Sequence, residues 1–198
     1  MDHRLRCRCG TLQGLVARPG IAVRARCYCR DCQAYAAWFG PDAGIVDDAG
    51  GTEVVAMLPR QVRFTAGLDA LACLSLSPRG ILRWYAGCCR TPIGNTPRDR
   101  RMSYLGLITS CLADEPPLEA AFGPLRMTAH VGSARRPVAR TGPLAAAAAL
   151  ARPGAAMLAA WIGGGYRDNP FFDAATGAPI RPPQVLSRAE RERLTPPG

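Results

Sequence analysis

Seven of the nine cysteines of this chain fall into three short clusters. They are Cys7 and Cys9, then Cys27, Cys29 and Cys32, and finally the adjacent pair Cys88 and Cys89. Neighbouring thiols in a Cys-x-Cys pattern are poorly placed to cross-link to one another, and the charged N-terminus has no apolar run typical of a secretory signal. Thiolates at this spacing are typical ligands of soft metal ions such as zinc. The pattern therefore predicts metal coordination rather than disulfides.

The clusters divide into two predicted zinc sites. A structural site needs four nitrogen or sulfur ligands, whereas a catalytic site usually has three protein ligands and one open position. Cys7 and Cys9, joined by the pair Cys88 and Cys89, predict a closed structural site. The middle three cysteines predict a second site that has room for water or a substrate sulfur.

Two alternatives remain open at these sites. Water could replace Cys88 in the first site, because two adjacent ligands on one ion strain the backbone. The middle three cysteines could instead form a purely structural knuckle completed by a fourth cysteine, or bind no metal.

Short runs of alternating apolar residues surround the cysteines and predict a mainly β core. Three antiparallel strands are predicted within residues 4–32, with turns at Gly10 and Pro19-Gly20, and the third strand leads into Cys27. Further strands are predicted at 54–58, 62–65, 70–76, 81–85 and 104–108, with a turn at 91–95. A helix over 32–39 places Cys29 and Cys32 at its N-terminus, where free backbone N–H groups stabilise thiolates.

The composition changes after Cys111, where cysteine disappears and Pro, Ala and Arg dominate. We therefore predict a zinc-binding β domain at 1–111 and a helical and proline-rich extension at 112–198 packed on it. Helices are predicted at 145–150 and 155–162, split by Arg152-Pro153-Gly154, and at 187–194. Because neither half approaches the ~20 apolar residues that a bilayer requires, we expect a cytoplasmic protein without a membrane segment.

The formal charge of +10 comes from 25 basic residues, all of them arginine. Together with abundant Ala, Gly and Pro, this usage is typical of a GC-rich coding sequence, so the charge alone does not indicate a nucleic-acid partner. The lack of lysine excludes a Schiff base and a P-loop lysine. Only His3 and His130 are available for histidine-based acid–base chemistry.

The order of the cysteine motifs resembles that of the glutathione-dependent formaldehyde-activating enzymes and the related centromere protein V. The shared features are Cys7-x-Cys9-Gly10, then Cys27-x-Cys29-x-x-Cys32, and last Cys89 followed by Thr91-Pro92. The resemblance covers roughly residues 3–110.

This resemblance implies a β-tent (Mss4-like) fold, an antiparallel β unit that binds zinc. It implies that Cys7, Cys9 and Cys89 hold a structural ion. The middle three cysteines would hold the ion of the active site, where glutathione thiolate meets formaldehyde and forms S-hydroxymethylglutathione.

The chain departs from that family pattern at three positions. Tyr28 stands where the family usually has His, Ala86 where it has the first cysteine of the last pair, and Arg90 where it has Gly. Cys88 could substitute for the missing cysteine as a fourth ligand. We therefore place the chain in a divergent branch.

Three functions agree with these features. The first is a carbon–sulfur lyase-like enzyme that acts on adducts of glutathione or a small thiol with an aldehyde. The second is a noncatalytic, zinc-stabilised module that binds protein or nucleic acid, suggested by the charge and by Arg135, Arg136 and Arg140. The third is a redox sensor whose clustered thiolates oxidise and release zinc.

Overall fold

The computed structural model describes residues 2–17, 22–40, 43–114 and 116–196. The predicted turn at Pro19-Gly20 lies outside them. The strands within these ranges are β1 (His3–Arg6), β2 (Gln13–Val16), β3 (Val23–Cys27), β4 (Thr52–Met57), β5 (Val62–Ala66), β6 (Leu71–Ser75), β7 (Leu82–Ala86), β8 (Thr91–Thr96), β9 (Leu105–Ile108), β10 (Leu125–Ala129) and β11 (Gln184–Val185). The helices are α1 (Arg30–Phe39), α2 (Leu118–Phe122), α3 (Pro143–Ile162) and α4 (Arg188–Leu194).

The described strands form two sheets. The smaller sheet has the order β1-β2-β5, and the larger one has the order β10-β3-β4-β9-β8-β7-β6-β11. Neighbours pair antiparallel, except that the edge strands β10 and β11 run parallel to β3 and β6. The prediction of a mainly β fold is confirmed, whereas the finer β-tent assignment stays a prediction.

The larger sheet is buried on both faces, and its alternating side chains supply two cores. Leu82 and Trp84 of β7 point into a core that also contains Leu5 of the smaller sheet. Arg83, between them in sequence, points to the opposite face, where its guanidinium lies over the ring of Tyr35 from α1. The smaller sheet and α1 therefore cover opposite faces of the larger sheet.

The predicted turn at 91–95 is wrong, because these residues form β8 between β7 and β9. Pro92 and Gly94 are turn signals in sequence. Pro92 lies beside a register shift in the β7–β8 ladder, where a missing donor is tolerated. Gly94 is needed for close approach, since a Cβ there would lie 2.9 Å from the carbonyl oxygen of Gly106.

The predicted break at Arg152-Pro153-Gly154 is also wrong, because α3 continues through it as one 20-residue helix. Pro153 removes one backbone donor, but its ring is buried in the protein. By length and composition, this helix could cross a membrane, whereas neither of the two separate halves predicted from the sequence could. Of its most apolar 18-residue stretch, 11% is buried inside the protein. Such a helix does not by itself place the protein in a membrane.

The segment after Cys111 contributes β10 and β11 to the two edges of the larger sheet, which the sequence did not predict. The helix predicted at 187–194 is confirmed as α4. Ser187 caps it by accepting a hydrogen bond from the N–H of Glu190. Arg191 of α4 pairs with Asp31 of α1 at 3.0 Å, so the C-terminal segment is held beside the first turn of α1.

Glu53 of β4 bridges two arginines of β3, close to the point where β3 reaches Cys27. Its carboxylate lies 2.7 Å from Arg24 and 2.8 Å from Arg26. Burial raises the pKa of Glu53, but hydrogen bonds from Arg26 and Arg24 outweigh this and lower the pKa below the usual 4.5. Because the folded pKa is depressed, the ionised carboxylate stabilises the fold above about pH 4.5, and this stability is lost as the pH falls through the folded pKa.

We expect Glu53→Gln to lower the free energy of unfolding at pH 7 by about 2 kcal/mol, because two partly buried guanidinium groups lose their carboxylate. Urea denaturation at pH 7 and at pH 3 measures the effect, and the difference from wild type should shrink at pH 3. Glu192→Gln, which removes an exposed pair with Arg188, is the control and should change little. An equal loss at both pH values would contradict the electrostatic explanation.

Candidate metal centres

Four cysteines from two distant parts of the chain converge at one end of the fold. Cys7 and Cys9 follow β1 of the smaller sheet, and Cys88 and Cys89 lie between β7 and β8 of the larger sheet. The Sγ–Sγ distances are 3.5 Å for Cys7–Cys9, 3.8 Å for Cys7–Cys88, 3.3 Å for Cys9–Cys88 and 3.9 Å for Cys88–Cys89. A tetrahedron of sulfurs around zinc has edges of about 3.8 Å, given Zn–S bonds of about 2.3 Å. The cluster therefore has the dimensions of a four-thiolate metal site, and it includes Cys88.

Hydrogen-bond donors surround these sulfurs. The backbone N–H of Leu12 donates to Cys7 Sγ at 3.3 Å, and the hydroxyls of Thr11 and Thr91 lie 3.2 Å and 3.1 Å from the sulfurs of Cys9 and Cys89. Hydrogen bonds from the side chain and backbone of Thr11, and then from the thiols of Cys88 and Cys89, lower the pKa of Cys9 to about 6. Such donors stabilise thiolates, which are the form that binds a metal ion.

Arg90 occupies the position after the cysteine pair where the resembled family has Gly. Its φ of 56° lies in the left-handed region, which costs a non-glycine residue free energy. The guanidinium stacks over the ring of Trp38 at 4.3 Å and donates a hydrogen bond of 2.6 Å to the Trp38 carbonyl oxygen. These contacts offset the backbone strain and also tie the cysteine turn to the C-terminal end of α1.

The other three clustered cysteines meet where β3 leads into α1. Cys27 ends β3, Cys29 is the N-cap of α1, and Cys32 lies in its first turn. Cys29 Sγ accepts a hydrogen bond of 3.3 Å from the N–H of Cys32, so the thiolate takes the place of the usual oxygen cap. The three sulfurs lie within 4.8 Å of one another, and no further Cys, His, Asp or Glu of the described residues joins them.

The three thiols share hydrogen bonds that favour one thiolate. Hydrogen bonds from the thiols of Cys27 and Cys32 lower the pKa of Cys29, and the backbone N–H of Cys32 adds to this. The pKa of Cys27 is raised because its thiol donates to the neighbouring sulfurs. Cys27 and Cys29 are half-buried and Cys32 is buried, so two of the three residues are partly exposed to solvent.

The structure thus groups the sequence-predicted ligands in the two sets that were expected. Both clusters can hold a metal ion and are compatible with zinc; the role of each thiol as a zinc ligand stays a prediction. The two remaining cysteines, Cys73 and Cys111, are buried and belong to neither cluster, and burial raises the pKa of Cys73 to about 12.

Sequence reasoning missed polar residues on the sheet face that carries Cys27. Arg83 is 2% exposed, and Thr52 lies directly opposite Cys27 in the β3–β4 ladder. The hydroxyl of Tyr104 lies over Gly106 of the same sheet, since a Cβ there would be 2.9 Å from it. Arg83 could have been found only from a weak sequence signal, namely that it is a charged residue within an otherwise apolar strand.

The fold and the two clusters define a mainly β protein with two cysteine groups able to hold metal ions. The model of the "Family of unknown function (DUF6151)" matches residues 3–175, so the chain belongs to that family.

A crystal structure of a Rhodobacter sphaeroides protein, a structural genomics target, shares 18% identity with this chain at a TM-score of 0.43. The alignment covers 64% of this chain and 98% of that one, and a likeness at this level transfers no function. No curated protein matches the chain. The resemblance to the formaldehyde-activating enzymes therefore still rests on cysteine spacing alone.

We expect Arg90→Ala to lower the free energy of unfolding by about 1–2 kcal/mol, because it keeps the left-handed backbone and loses the stacking on Trp38. Arg90→Gly loses the same stacking but removes the backbone strain, so it should be more stable than the alanine variant by about 1 kcal/mol. Thermal unfolding of the wild type and the two variants under the same metal conditions measures this order. Equal stability of the two variants would show that the backbone at Arg90 is not strained.

Proposed function

We propose that this protein binds two zinc ions and that its three-cysteine site acts on adducts of a small thiol with an aldehyde. In this proposal the four-cysteine cluster holds a structural ion and the three-cysteine cluster holds an ion with one open position. The observation that carries it is the unequal division of the thiols, four in one cluster and three in the other. The small thiol is glutathione or a similar compound, as the resemblance implies.

The four-cysteine cluster joins the two sheets. Cys7 and Cys9 extend from β1 of the smaller sheet, whereas Cys88 and Cys89 extend from β7 of the larger one. An ion in this cluster would use all four sulfurs and leave no position for a substrate. Its role is therefore structural.

The three-cysteine cluster has the features of a reactive site. Two of its three cysteines, Cys27 and Cys29, are half-buried rather than enclosed, and the N-terminus of α1 directs a backbone N–H at Cys29. Zinc bound there would keep the ligand thiols ionised and polarise an oxygen or sulfur at the fourth position.

The reaction that this site would assist is the addition of a thiol to an aldehyde, or its reverse. The thiol sulfur forms a bond to the carbonyl carbon, the carbon–oxygen π bond breaks, and the thiol proton passes to the carbonyl oxygen. No oxidant or reductant is consumed. The three cysteines would remain unmodified as ligands, and the thiol that reacts belongs to the substrate.

Metal analysis of protein purified under reducing conditions tests the two-ion proposal. We expect two zinc ions per chain in the wild type and about one in Cys29→Ser, which should remain folded because the four-cysteine cluster is intact. Cys88→Ser should lose about 3 kcal/mol or more of stability, because a structural zinc site contributes folding free energy. Cys73→Ser, in a buried thiol outside both clusters, is the control and should keep both ions.

Turnover is tested separately, as hemithioacetal formation from glutathione and formaldehyde above the spontaneous rate. We expect a zinc-dependent excess rate in the wild type and in Cys73→Ser, and none in Cys29→Ser. If the wild type carries two zinc ions and shows no excess rate, the enzymatic proposal fails. Release of zinc by mild peroxide from such a protein would then favour a redox sensor.

A further inference from the structure

Arg83 is a buried cation without an acidic partner among the described residues. Its side chain lies inside the protein on β7, and its Nη1 donates one hydrogen bond of 3.3 Å to Asn95 Oδ1. The guanidinium carbon lies 5.0 Å from the ring centroid of Tyr35. No ion pair within 2–17, 22–40, 43–114 or 116–196 includes Arg83. A buried charge in this state is costly unless a negative charge lies nearby.

The sheet register places Arg83 on the same face as the three-cysteine cluster. Directly opposed residues point to the same face, and the ladders pair Arg83 with Asn95, Asn95 with Gly106, and Gly106 with Ala56. Ala56 and Thr52 lie four residues apart on β4, and Thr52 is opposite Cys27. The face that carries Arg83 is therefore the face that carries Cys27.

Helix α1 connects the two groups across this face. Tyr35, which lies under the Arg83 guanidinium, follows Cys32 by one helical turn on the buried side of α1. The cysteines at the start of α1, one helical turn from the residue that contacts Arg83, can supply the compensating negative charge as thiolates.

Thr52 carries a polar atom with no partner beside the same cluster. The residue is 2% exposed, and its Oγ1 makes no hydrogen bond. Because Thr52 and Cys27 are directly opposed in an antiparallel pair, their Cβ atoms are about 5 Å apart. A buried hydroxyl normally has a partner. A ligand atom added to the three-cysteine cluster would supply one.

We propose that Arg83 and Thr52 determine which ligand the three-cysteine site accepts at its fourth position, and that this ligand is anionic, such as the thiolate of a small thiol. The inference rests on the proposed metal site. Three thiolates and a divalent ion carry a net charge of −1, so an arriving anion would be repelled. Arg83 offsets this charge, and the Thr52 hydroxyl donates a hydrogen bond to the anion.

Ligand binding to the Co²⁺-substituted protein, followed by visible absorption, tests the role of Arg83. The probes are azide and 2-mercaptoethanol as sources of anionic ligands, and imidazole as a neutral one. Arg83→Met should weaken azide and thiol binding about tenfold or more and leave imidazole binding unchanged. Arg83→Lys keeps the charge and should retain most of the affinity. Arg79→Met, at an exposed arginine, is the matched control and should have no effect.

The same titration tests Thr52 with a pair of nearly isosteric variants. Thr52→Val removes the hydroxyl and should weaken azide binding about fivefold, whereas Thr52→Ser keeps the hydroxyl and should bind as the wild type does. Equal binding by both variants would remove Thr52 from the proposal.

Two results would overturn the proposal as a whole. One is an equal loss of azide and imidazole affinity in Arg83→Met, which would mean that Arg83 only supports packing. The other is a lack of azide and thiol binding by the wild-type Co²⁺ protein, which requires no variant to fold. If the wild type binds anions but shows no turnover, the enzymatic function fails and the roles of Arg83 and Thr52 stand.

Discussion

Four cysteine sulfurs from distant parts of the chain meet in one cluster, and this contact joins the smaller sheet to the larger one. Cys9 and Cys88 are 79 residues apart in sequence, yet their sulfurs lie 3.3 Å apart. The turn after β1 belongs to the smaller sheet and the turn after β7 belongs to the larger one. Without an ion, four thiols at this spacing gain little, because a thiol is a weak hydrogen-bonding group. With an ion, the same cluster fastens the two sheets together.

The sulfurs of the second cluster are brought together by local backbone structure and not by contacts between distant strands. Its three cysteines lie within six residues, and the change from strand to helix brings their sulfurs together. The cap of α1 is a sulfur, so the electrostatics of the helix N-terminus act directly on a candidate ligand. The same geometry leaves one side of the cluster free of protein ligands among the described residues. This difference between the clusters is the basis for the structural role that we propose for the first cluster and the reactive role that we propose for the second.

The face of the larger sheet beneath α1 carries a charged residue, Arg83, whereas the local three-cysteine motif has none of its own on that face. Arg83 and Thr52 come from β7 and β4, two interior strands of the larger sheet, and neither is adjacent to a cysteine in sequence. Their positions are fixed by the ladders from β7 to β3, which also carry the apolar cores. The same strand ladders therefore support the apolar cores and fix the positions of Arg83 and Thr52.

Local sequence patterns were enough to predict the cysteine groups, most of the strands and the capped helix α4, because alternation, thiol spacing and capping residues act over a few neighbouring positions. The folded protein was needed to see that Thr91–Thr96 is a central strand and that α3 continues through Pro153, since burial there outweighs local turn and breaker signals. The folded protein also shows that Cys88 joins the first cluster and that Arg83 lies on the sheet face that carries Cys27 of the second. These are contacts between residues far apart in sequence, and they depend on strand order and register, which no local pattern encodes.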